Sequence, residues 1–166
     1  MQLTIAAALA VVAALSEFTV VPYLQFGNAV LQPVLVFGVV WAVIARMEAG
    51  LVWAFVGGLA LDILGQRPLG SSAFSLLIAI GVGTLLGAAL RRVRIVAPVV
   101  ATLAASLVYS VILLTATSLL TAAPLSDAAT AGVVPSAIYG AVVAAIVGPL
   151  AVAIAMRRRD AERADW

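Results

Sequence analysis

Long apolar runs separated by short polar breaks repeat along the whole chain, at a length suited to helices. Crossing about 30 Å of hydrocarbon takes roughly 20 apolar residues in helical form. Six runs qualify or come close: Leu3 to Val21, Val30 to Ala45, Gly50 to Leu64, Ser71 to Leu90, Ile95 to Leu120, and Ala131 to Met156. The second and third are the shortest and predict a hairpin around the turn Arg46-Met47-Glu48-Ala49, set in a thinned bilayer or extended by flanking interfacial residues. Pro22, Pro33, Pro98 and Pro135 fall near run boundaries, where a missing N–H matters least. Pro149 lies inside the last run and predicts a kink.

Composition fixes the class. Hydrophobic residues make up 65% of the 166 and charged ones 10%, with mean hydropathy +1.24, values no water-soluble domain requires. The expectation is an all-α polytopic membrane protein: a six-helix transmembrane domain over residues 1–156 and a basic tail over 157–166, too short for a core. The first run lacks a basic segment before it and reads as a retained span, not a cleaved leader. Cationic loops stay cytoplasmic. With the N-terminus inside, Arg46, Arg91, Arg92, Arg94, Arg157, Arg158, Arg159 and Arg163 share the inner side and Arg67 alone faces out, so both termini are expected in the cytoplasm. The net charge of +2, held in tight groups beside apolar runs, argues against nucleic acid as a partner.

In lipid, helices associate through close packing and hydrogen bonds, so small residues four apart mark contact faces. Ala6, Ala10 and Ala14 form such a line on the first helix, Gly83 and Gly87 on the fourth, and Gly140, Ala144 and Gly148 on the sixth. They either pack the bundle internally or, for the first helix above all, dock a separate membrane partner. The fifth helix carries Thr102, Ser106, Tyr109, Ser110, Thr117 and Thr121 largely on one face, as structural glue or as the lining of a polar cavity. Trp41, Trp53 and Tyr23 fit either interfacial belts or packing.

Charge near the membrane is scarce. Glu17 and Asp62 sit near the outer ends of the first and third helices, placed to meet each other or to share Arg67. Asp62 is unfavourable beside the negative end of its own helix. It is expected to accept hydrogen bonds from the backbone around Leu69 to Ser72, where the fourth helix starts and its N–H groups lack partners. The chain has no His, Cys or Lys, which excludes a Walker A loop, histidine-based triads and thiolate nucleophiles. No second carboxylate lies deep in a helix facing Asp62 to make a two-aspartate protease. The expectation is a non-enzymatic protein with no cofactor or metal: a scaffold, a binding subunit of a transporter, or a self-sufficient channel or secondary carrier. The carrier is the weakest of these, because midplane charges and inverted repeats are missing.

The stretch from Gln32-Pro33 to Gly70 resembles the rod shape-determining protein MreD family. That family opens its second helix with a Pro-Asp or similar pair, follows with a small hairpin, ends its third helix with Gly-Leu-x-x-Asp and starts its fourth with Pro-Leu-Gly. The counterparts are Gln32-Pro33, Arg46 to Gly50, Gly58-Leu59-Ala60-Leu61-Asp62 and Pro68-Leu69-Gly70, together about a quarter of the chain. Val34 departs from the pattern, standing where the family often has an acidic or amide residue. The resemblance implies a non-enzymatic scaffold of the bacterial elongation machinery in the inner membrane. It would bind MreC, a single-span protein with a periplasmic domain, and act through it on MreB filaments, RodA and a penicillin-binding transpeptidase. The family is also similar in size and helix count to the substrate-binding subunits of energy-coupling-factor vitamin transporters. Those dock their coupling protein through an Ala-x-x-x-Ala line like Ala6, Ala10 and Ala14, but their vitamin-binding loops have no counterpart in the short outer loops here.

Overall fold

The computed structural model describes residues 2–25, 27–44, 47–90, 96–121 and 130–164. Among them there are six α-helices and no strand: α1 (Gln2–Thr19), α2 (Pro33–Ile44), α3 (Met47–Leu64), α4 (Ser71–Ala89), α5 (Val96–Thr121) and α6 (Val133–Ala164). A 3-10 turn over Val21–Leu24 follows α1.

The helix boundaries depart from the hydropathy pattern where backbone chemistry overrides it. α1 stops at Thr19, short of Val21, because Pro22 has no N–H to extend the ladder and the tighter turn takes over, with the Tyr23 N–H donating to the Val20 carbonyl at 3.1 Å. α2 starts at Pro33, not Val30; proline suits a first helical position, and the Val30 N–H is engaged by Ser136 Oγ of α6 at 3.0 Å. α3 starts at Met47, so Met47, Glu48 and Ala49 belong to its first turn and not to the hairpin turn, with Glu48 set favourably at the positive helix end. The rest of that turn lies outside the described residues. α4 and α5 match their expected spans to within a residue. α6 continues through Pro149 and past Met156 to Ala164, taking most of the basic tail into the helix.

Four helical segments are long and apolar enough to cross a membrane, Met47–Leu64, Ser71–Ala89, Val96–Leu120 and Val133–Ala151; Leu3–Thr19 and Pro33–Ala42 are shorter. The sides of the bundle expose large apolar residues such as Ile63, Leu85, Ile146 and Leu119, a surface suited to lipid. The chain is a multi-pass helical membrane protein.

The short α2 occupies the middle of the bundle, in contact with each of the other five helices. α1 lies at the periphery, packed mainly on α3. Close approach depends on glycine: a Cβ on Gly38 would stand 2.6 Å from Ile80 and 2.8 Å from the Trp53 ring. Trp53 is buried, stacks on Trp41 with centroids 6.3 Å apart, and donates its Nε1–H to the Val34 carbonyl at 2.8 Å, so it serves packing and not an interfacial belt. Tyr23, 88% exposed, lies at one end of the bundle.

Ala6, Ala10 and Ala14 are completely buried, with Ala10 facing Gly57 of α3. Gly83 packs against Val39 of α2 and Ala101 and Ala105 of α5; Gly87 is buried as well, Gly140 meets Ser106, and Gly148 meets Pro98. All three small-residue lines therefore serve internal packing. The Ala6, Ala10 and Ala14 side chains are enclosed by the bundle itself.

Candidate functional site: the junction of the third and fourth helices

At the end of α3 the chain reverses through a helix-stop motif made from its own backbone. The Arg67 N–H reaches back to the Asp62 carbonyl at 3.0 Å, the Gln66 N–H points to the Ile63 carbonyl at 3.4 Å, and Gln66 takes the left-handed conformation at φ +50°. Glycine is the usual residue there. In this chain Gly65 stands one position earlier, where a Cβ would lie 2.9 Å from the Leu61 carbonyl oxygen and 3.1 Å from the Phe18 ring. Gly70, at φ +94°, then turns the chain into α4, and the Pro68 carbonyl accepts the Ser71 N–H at 3.1 Å.

Gly70 has no side chain to cap the new helix, and Asp62 supplies the cap from across the junction. Its Oδ2 accepts the Gly70 N–H at 2.8 Å, and its Oδ1 accepts the Ser72 N–H at 2.9 Å and the Ser71 hydroxyl at 3.1 Å. The carboxylate is 1% exposed. These are the backbone donors expected from its position. Burial of the charge is offset by charge-assisted bonds and by the positive end of α4. The approach that permits this is set one turn earlier. A Cβ on Gly58 would stand 2.3 Å from Ala73 Cα and 2.6 Å from Ala73 N, so only glycine lets α3 and α4 come this close.

Asp62 and Glu17 do not form a shared pair. Glu17 Oε2 lies 3.4 Å from the Val34 N–H at the start of α2, doing there more weakly what Asp62 does for α4. Arg67 is near enough to act on the Glu17 charge; its Nη1 donates to Ser72 Oγ at 3.4 Å and its guanidinium lies beside the buried Tyr109 hydroxyl. The cap on α2 was missed in the sequence. Its signal was present: a carboxylate just before a helix end is followed by the start of another helix, as with Asp62 and α4, although α2 opens on Pro33 itself and α4 opens on Ser71 after Pro68 and Gly70.

Gly58, Asp62, Pro68 and Gly70 thus form one structural unit. Pro33 is buried at the start of α2 and is no part of it. On α5, Thr102, Ser106, Tyr109 and Ser110 are buried, the Ser106 and Thr102 side chains toward Gly140 of α6. Thr117 bonds its own helix at the Leu113 carbonyl, and the side chain of Thr121 lies outside the described residues. Thr117 fits structural glue, whereas Thr102 Oγ1 and Ser106 Oγ are buried in the seam without a hydrogen-bond partner among the described residues and do not glue helices by hydrogen bonding. Among the described residues no group of three acidic, His or Cys side chains is placed to hold a metal ion. No protein family, curated protein or solved structure matches this chain.

Proposed function

We propose that this chain is a non-enzymatic scaffold of the bacterial cell-elongation complex. In this reading it lies in the inner membrane with all six helices crossing and both termini cytoplasmic, and it holds a single-span, MreC-like partner through which MreB filaments, RodA and a penicillin-binding transpeptidase are coordinated. The observation that carries the reading is the α3–α4 junction: four residues of the family-like motif, Gly58, Asp62, Pro68 and Gly70, converge on one unit around the buried, hydrogen-bonded Asp62 carboxylate. Both oxygens of the Asp62 carboxylate are taken up at the start of α4, which supports an architectural role. A rigid helical frame is what a scaffold needs.

The transporter-subunit reading relied on Ala6, Ala10 and Ala14 to dock a coupling protein, and their burial removes that support. The test is co-purification from the native membrane. The scaffold should bring down a coiled-coil, single-span protein encoded beside it; recovery of an ATPase pair and its membrane coupling subunit instead would overturn the proposal.

A further inference from the structure

At the end of the bundle that carries the α3–α4 junction, the last turns of α1 hold one acidic side chain, Glu17. Ser16 and Thr19 donate their hydroxyls to the Ala13 and Leu15 carbonyls of α1 itself. Glu17 instead ties this end of α1 to its neighbours: Oε2 accepts the Val34 N–H of α2 at 3.4 Å, and the Arg67 guanidinium acts on its charge.

The two carboxylates at this end are held unequally. Asp62 is sealed and accepts three hydrogen bonds of 2.8, 2.9 and 3.1 Å at the start of α4. Glu17 is half-buried, within reach of a proton, and accepts one bond at the long limit. Around it stand Arg67 from the α3–α4 turn, the Tyr109 phenol of α5 and, past Ser72, Asp62 of α3, while α2 brings the Val34 N–H and no charge. Arg67 also serves Ser72 and Tyr109, so it is not held by Glu17 alone. A proton on Glu17 removes its attraction to Arg67 and to the positive end of α2, and it leaves every bond of Asp62 in place.

We propose that Glu17 is a proton-operated latch on α1. Ionised, it fastens the last turns of α1 to α2 and the α3–α4 turn; protonated, it lets them swing outward. Little else holds them there. α1 is peripheral, and its deeper seam is made of alanines, Ala6, Ala10 and Ala14, whose methyls do not interlock. Phe18, beside Gly65, is 40% exposed, and the chain leaves α1 through a 3-10 turn in which Tyr23 is bare.

The proposal does not depend on the scaffold reading. Its test uses spin labels on Val20→Cys and Leu69→Cys, both at exposed positions in a chain without native cysteine, and measures their distance distribution in the purified protein. As pH falls from about 8 to about 4, a range that brackets the reference value of a glutamate, the parent should gain a longer, broader population. Glu17→Gln should show that population at every pH. Arg67→Gln should move the midpoint to higher pH, because the charge that favours the carboxylate is gone; an ion pair with a purely structural role would not shift a midpoint. If Glu17→Gln does not fold, the Arg67→Gln midpoint decides. One distribution at all pH values in the parent would overturn the proposal. So would an unchanged pH response in Glu17→Gln, or a midpoint in Arg67→Gln that stays where the parent has it.

Discussion

Replacing Asp62 with leucine strips the start of α4 of its cap while keeping the side chain about the same size. The Ser72 N–H, held at 2.9 Å in a buried position, then has no acceptor, which costs about 1 to 3 kcal/mol. The Gly70 N–H is only partly buried, so water replaces part of its 2.8 Å bond, and the Ser71 hydroxyl rotates to a new acceptor. Removing a negative charge from the C-terminal turn of α3 returns about 0.3 to 1 kcal/mol. The net loss expected for Asp62→Leu is therefore about 1 to 3 kcal/mol. Asp62→Asn keeps one acceptor oxygen for Ser72 and places an amide donor against the Gly70 N–H, so its loss should be smaller. The assay is reversible unfolding of the purified protein in mixed micelles with increasing dodecyl sulfate. Glu48→Gln, at an exposed position on α3, serves as a control within about 0.5 kcal/mol of the parent. The reasoning is refuted if Asp62→Leu unfolds with the control. If Asn and Leu cost the same, the negative charge and not the acceptor geometry is what matters.

Gly58→Ala should destabilise by about 1 to 3 kcal/mol in the same assay, because its new methyl meets Ala73 backbone that has no room to yield, whereas Gly81→Ala, with nothing within 4 Å, should be neutral or slightly stabilising. Equal effects at the two sites would contradict the α3–α4 contact. Ala10→Leu should lower the yield of folded protein, since Ala10 is fully buried against α3; a variant that folds like the parent would mean the α1 seam is looser than described. For topology, a cysteine at Ser126 should be labelled by an impermeant thiol reagent in intact cells and one at Ala164 should not; the reverse pattern would invert the orientation. The chain has no native cysteine to confuse the labelling.

Features set by backbone chemistry near one position were legible in the sequence. The Asp62 cap follows from a carboxylate before a helix end, a short loop and a second helix start whose N–H groups need acceptors, all within 11 residues. The ends of α4 and α5 follow from hydropathy alone. Directions around a helix axis were harder. A four-residue spacing identifies the face on which Ala6, Ala10 and Ala14 lie but not the neighbour it meets, and in lipid an internal seam and an external one have the same composition. Hydropathy also does not see why α2 waits until Pro33, since Val30 and Leu31 are as apolar as the helix itself; a proline turns the residue before it away from helical backbone and suits the first helical position, so the helix opens there. The left-handed turn at Gln66 was hidden because Gly65, beside it, is needed for packing and not for its conformation.

The scaffold reading is tested most directly by depleting the chain from the cells that carry it and following cell width as growth continues. The account predicts that rods widen and round up, that wall insertion loses its confinement to the cell's long sides, and that an Asp62→Asn copy restores rod shape better than an Asp62→Leu copy made to the same membrane level. Cells that keep their width after depletion but lose uptake of a vitamin would contradict it and assign the chain to a transporter.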